Sequence, residues 1–197
     1  MIVTTNILKK NLENYSNVYV KISNEIKNKN YIRLTRGLYE TDKNTPAYYL
    51  AGAIYGPSYL SFDFALSYYG IIPEKVYTIT SATFGKNKHK EYHNDFGTYT
   101  YRDVPKNVYY LGVKLVNEGK YPYQIATPEK AICDKLYTLS PMKNLQEMKY
   151  MIFEDLRIDL EEIKKLNIAD INELEKKYHS TNVSLFVKML KGVQNDK

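Results

Sequence analysis

Between Asn17 and Tyr39 the hydrophobic period switches from that of a helix to that of a strand, which restricts what this part of the chain can form. Tyr19, Ile22 and Ile26 recur at i, i+3 and i+7, a single apolar stripe on a helix of about three turns spanning Asn17 to Asn28. Lys21, Asn24, Lys27 and Asn28 fall off that stripe and are expected to face outward. In the run from Tyr31 to Tyr39, two short β-like segments flank Thr35-Arg36-Gly37. Gly37 can adopt positive φ without a Cβ clash, so a small hairpin with Arg33 and Arg36 near its turn is expected. Upstream, Ile7, Leu8 and Leu12 have helical spacing behind a cap at Thr4 or Thr5.

Two helices followed by a hairpin carrying arginines form the outline of a winged helix-turn-helix. Charge agrees in sign: residues 1–45 hold eight basic and four acidic side chains, the densest excess in a chain of net charge +6. Such a patch can neutralise phosphates and release their counterions; a solvated lysine face is the alternative. In the hairpin, the arginines could instead pair with Glu40 or Asp42.

After the polar stretch Thr41–Pro46, which marks a boundary, Ala47–Tyr55 reads as an apolar helical segment. Ser61 is expected to cap a helix bearing Phe62, Ala65, Leu66 and Tyr69, stopped by Gly70 and Pro73. Val76–Thr83, Gly97–Val104, Val108–Val116 and Tyr123–Ala126 read as strands, with Gly85–Asp95 a polar connection. Thr127-Pro128-Glu129-Lys130 combines a cap, proline at the first helical position and an acid in the first turn. Ile132, Leu136 and Leu139 form that helix's apolar face, with Cys133 beside it. The last third reads as helices, with stripes Leu145/Met148/Ile152/Leu156 and Val183/Phe186/Val187/Leu190. Asp159 with Glu162, and Asp170 with Glu173, have capping-box spacing.

Catalytic patterns find little support. His89 and His93 lie four apart but in a lysine-rich stretch that reads as a loop, with no third ligand in view. No phosphate-cradling glycine loop or serine nucleophile elbow is present, and the single cysteine, Cys133, reads as a small core residue. No apolar run approaches the ~20 residues needed to cross a bilayer. One cysteine and no secretory leader point to a reducing cytoplasm.

Three segments, in order, resemble the AbiEi antitoxin family of type IV toxin–antitoxin systems. These are Ile32-Arg33-Leu34-Thr35-Arg36-Gly37-Leu38-Tyr39; Pro57-Ser58-Tyr59-Leu60-Ser61 leading to Ala65-Leu66 and Gly70-Ile71-Ile72-Pro73; and Ala126-Thr127-Pro128-Glu129-Lys130-Ala131 with Asp134 and Leu136. The resemblance covers roughly residues 15–140. It implies an α+β protein: a winged-helix module at 1–45 that binds the promoter of its own operon, and an α/β antitoxin domain at 46–197 ending in helices. It implies a nucleotidyltransferase-type toxin neutralised without a stable complex, and no cofactor, metal or catalysis. Lys21, Asn24, Lys27, Asn28, Lys29, Arg33, Thr35, Arg36 and Gly37 are the expected DNA-binding residues. The Thr127 motif matches as a helix start and carries no antitoxic residue across. One departure stands out, because about thirty residues precede the wing, room for two helices where three are usual. A monomer or weak dimer with no membrane association is expected. The alternative is a stand-alone winged-helix regulator with an effector-binding C-terminal domain.

Overall fold

The computed structural model describes residues 1–195 and mixes α and β structure. A short strand, β1 (Ile2–Thr4), leads directly into α1 (Thr5–Asn11), followed by α2 (Val18–Lys27) and the hairpin β2 (Ile32–Thr35) and β3 (Leu38–Glu40). The sequence reading missed β1. It pairs antiparallel with β3, making a three-stranded sheet in the order β1-β3-β2. Val3 and Tyr39, cross-strand partners, turn toward the helices and join Leu8 and Ile22 in a small core. Leu34 faces the rest of the molecule and belongs to its main core, against which Ile2 and Leu38 also pack.

Past the helical segment formed by a 3-10 turn (Ala47–Leu50) and α3 (Ala51–Ile54), the chain builds a six-stranded mixed sheet. Its strands are β4 (Tyr59–Leu60), β5 (Ile79–Thr83), β6 (Lys90–Asn94), β7 (Gly97–Asp103), β8 (Val113–Val116) and β9 (Tyr123–Ala126), in the order β6-β7-β5-β4-β9-β8. The β5–β7 and β4–β9 pairs are parallel and the others antiparallel. Alternation assigns the two faces. Tyr99 and Tyr101 point one way, and their hydroxyls donate to the carbonyls of Ala47 and Ala51, fastening the 47–54 segment onto that face. Tyr59 and Thr80 point the other way, toward α4 (Phe62–Tyr68) and α5 (Pro128–Tyr137). Behind these lie α6 (Leu145–Tyr150), a π-helical turn (Met151–Asp155), α7 (Leu160–Lys165), α8 (Ile168–Tyr178) and α9 (Thr181–Asn195).

Several expectations need correction. The stretch expected as a polar connection contains β6, so His93 sits on a strand, bonded to Thr98 and paired with Glu91. Val108–Tyr110 is not strand; Val108 and Tyr109 are buried as a turn, and β8 begins only at Val113. Ser61 occupies the N-cap position of α4, but its hydroxyl donates to Asp134 instead of capping. Asn167, not Asp170, caps α8, and Asp159 makes no side-chain cap bond. Leu145 is exposed, whereas Met148 and Ile152 are fully buried. Thr127 caps α5 with proline behind it, and Val183, Phe186, Val187 and Leu190 of α9 are buried.

The Thr127 motif also carries a group unforeseen from sequence. Lys130 and Asp134, both fully buried, pair at 3.0 Å across one turn of α5. Asp134 also accepts from Tyr59 at 3.0 Å, from Ser61 at 2.6 Å and from Tyr178, so β4, α5 and α8 meet at one carboxylate. The Lys130 ammonium donates to the Tyr178 hydroxyl at 2.5 Å and lies 4.7 Å from that ring's centre. Burial, reinforced by the Asp134 charge, pushes both the Tyr59 and Tyr178 phenols well above their ordinary range. Burial likewise raises the neighbouring Cys133 thiol, which keeps it protonated and inert.

Candidate nucleic-acid interface

The α2 helix begins at a side-chain cap and packs one side on the small core. Asn17 caps it, its side-chain oxygen accepting from the Val20 amide at 3.2 Å, which makes Val18 the first helical residue. Val18, Ile22 and Ile26 then face the small core, and Tyr19, expected inside, is 65% exposed. Tyr19, Val20, Ser23, Asn24 and Lys27 form the outer surface of the helix. Sequence reasoning missed Tyr19, Val20 and Ser23. The signal was available in Val18, which shares a face with Ile22 and Ile26 at i, i+4 and i+8 and so offers a stripe that competes with the one through Tyr19.

The expected side chains divide by their partners. Asn24, Lys27 and Asn28 are exposed on α2 and at its end. Lys21 is only half-exposed and pairs with Glu25 at 2.6 Å, which raises the lysine pKa despite some desolvation. Glu25 in turn accepts from Asn30 at 2.6 Å, so its carboxylate is shared. Lys29 reaches Asp95 in the β6–β7 turn at 3.3 Å, an exposed pair worth little in water.

In the hairpin, Thr35 and Leu38 are paired, with Arg36 and Gly37 forming the turn between them. Gly37 has φ +82°, and its carbonyl accepts from the Thr5 amide at 3.0 Å, bracing the tip against the start of α1. A side chain at Gly37 would be strained in that left-handed region. Arg33 and Arg36 are both exposed. Arg33 stands 6.0 Å from the Tyr39 ring centre across the hairpin, and neither arginine forms an ion pair among the described residues.

The carboxylates that could have captured those arginines are held elsewhere. Glu40, with no exposed side-chain surface, accepts from Lys120 at 3.0 Å, from the Tyr121 hydroxyl at 2.7 Å and from the Met1 ammonium. Burial alone would raise its carboxyl, but these donors and the Asp42 amide outweigh it and hold Glu40 at about 2. Lys120 also reaches Asp42 at 3.0 Å and the Thr45 hydroxyl at 2.9 Å. One lysine in the β8–β9 connection thus neutralises both acids behind the hairpin. It also docks the N-terminal elements onto the main sheet, helped by Asn94, which donates to the Leu34 carbonyl at 3.1 Å.

Other groups the sequence singled out do not converge on a site. His89 is exposed near Arg102 in a polar cleft and His93 is engaged with Glu91. Among the described residues, no three His, Cys, Asp or Glu side chains gather as a metal centre. Also among them, no helix is long and apolar enough to cross a membrane. Compared with protein-family models and with curated proteins, the chain matches none.

Proposed function

We propose that this protein is a cytoplasmic, DNA-binding antitoxin of the AbiEi type that represses its own operon and has no catalytic activity. The observation that carries this reading is the pair of exposed arginines, Arg33 and Arg36, together with the exposed Asn24 and Lys27 of α2, on a unit where Glu40 and Asp42 behind the hairpin face Lys120. In this winged-helix reading the outer face of α2 enters the major groove. There Asn24 suits adenine and Val20 the thymine methyl. Arg33 and Arg36 reach the flanking backbone or minor groove, and Lys27 a phosphate. Strand β1, not a third helix, precedes α1, and its pairing with β3 stiffens the hairpin that a wing requires. The partner toxin, a nucleotidyltransferase in this proposal, is silenced without a stable complex.

The test is a gel-shift titration of upstream operon DNA at several salt concentrations. Arg33→Ala with Arg36→Ala is expected to weaken binding uniformly across sequences. The same change should flatten the slope of log affinity against log salt by up to ~1.8, about 0.9 for each phosphate no longer neutralised. An unchanged shift removes the hairpin from the interface. A second reading, a regulator with an effector site in its larger part, is favoured by a tyrosine-walled cleft beside the 47–54 segment. Co-expression with the adjacent gene separates the two, since an antitoxin must rescue growth and a plain regulator need not.

A further inference from the structure

We infer that the cleft between the 47–54 segment and the β4–β9 strands binds an uncharged planar heteroaromatic molecule of the nucleoside class. The cleft has a volume of about 390 Å³, within the range of small-molecule sites. Its walls are aromatic. The Tyr48, Tyr49 and Tyr123 rings lie with centres 4.6 to 5.4 Å apart, and Ile2 and Leu115 close the rim. No charged side chain lines it, which argues against a phosphate or carboxylate as the group recognised.

Polar groups in the cleft are few and placed among the aromatic surfaces. Ser81, 1% exposed, lines the floor, and its hydroxyl has no hydrogen-bond partner. A buried hydroxyl with no partner is costly, and almost all such groups in folded proteins find one. By contrast, Thr80 and Thr83 on the same strand both bond, to the Ser61 carbonyl and to Asp103. Ser58 donates to the Tyr55 carbonyl and keeps its lone pairs for an incoming donor. The Gln124 amide at the edge supplies a donor and an acceptor together. The aromatic rings are tilted or edge-on to one another, and with donors and acceptors beside them they suit a nucleobase, which offers a π-face and a mixed hydrogen-bonding rim.

The location gives such a ligand a route to the N-terminal unit. Tyr49 donates to the Glu118 carbonyl at 3.2 Å, and Tyr121, a wall residue, donates to Glu40 of β3. The connection that walls the cleft is therefore the same one that docks the hairpin.

The experiment is isothermal titration calorimetry of the full chain, without DNA, against adenosine, guanosine, cytidine and uridine. At least one is expected to bind with a dissociation constant below ~1 mM. Its 5′-monophosphate should bind no more tightly. Ser81→Ala, which removes one atom, should weaken binding ~5-fold or more. Ala53→Leu adds bulk at an exposed wall position without touching the core, and should abolish binding while leaving the thermal midpoint unchanged. The proposal is overturned if no nucleoside gives heat at ~5 mM. It is equally overturned if both variants bind as the parent does, or if the monophosphate binds much more tightly than the nucleoside.

Discussion

Removing Asp134 should destabilise this protein more than removing its partner Lys130. Asp134→Leu leaves a fully buried ammonium whose remaining hydrogen-bond partner is the Tyr178 hydroxyl, with the Tyr178 and Tyr59 rings 4.7 and 5.7 Å away. A buried charge stranded in this way costs ~3–5 kcal/mol. Lys130→Met strands the carboxylate, but three hydroxyls, from Tyr59, Ser61 and Tyr178, still donate to it. Its cost should lie at or below the lower end of that range. In the double variant no charge remains, so its loss should fall short of the sum of the two by ~1–3 kcal/mol. The residual loss reflects hydroxyls left without an acceptor. Urea denaturation at neutral pH measures all three, and the thermal midpoint of Asp134→Leu should fall by ~6–20 °C for a chain of this size. If Asp134→Leu unfolds within ~1 kcal/mol of the parent, or the double variant equals the sum, the network does not hold β4, α5 and α8 together.

Two further outcomes are expected. Glu40, at about 2 in the folded chain against an ordinary 4.5, contributes stability above pH 4.5 that is lost as pH falls toward 2. That gap is worth ~3 kcal/mol at most, and Glu40→Gln should remove this part of the acid sensitivity in urea midpoints measured across the range. A parent and variant that lose stability in parallel would contradict the assignment. Gly119 has φ +93°, and a Cβ there would sit 1.9 Å from the Tyr49 hydroxyl oxygen. Gly119→Ala should therefore cost ~1–3 kcal/mol by displacing Tyr49 or straining the turn, and a thermal midpoint equal to the parent's would show that the connection yields freely.

Local signals in the sequence were reliable where they involved a single turn of chain. Thr4, Thr127 and Gly37 announce two helix starts and a hairpin turn because capping and positive φ are decided within a few residues. Cap competition was harder. Asp170 with Glu173 has the right spacing, yet Asn167 caps α8, its side-chain oxygen accepting from the Ala169 and Asp170 amides, so Asp170 lies within the first turn. The exposed arginines were legible as residues, but their freedom was not. That depends on Lys120, eighty positions from Glu40, neutralising the acids behind them.

The chain's own order of residues determined that helices precede a basic hairpin, that α5 begins at Pro128, and that α9 buries Val183, Phe186, Val187 and Leu190. Tertiary structure alone decided that Ser61 serves Asp134 and not its own helix, that Ser81 is left without a partner, and that Lys130 lies in the interior. Periodicity and capping act over one or two turns and can be read along the chain. The fate of a hydroxyl or a charge depends on which distant group arrives beside it, and only the packed sheet and its helices bring those groups together.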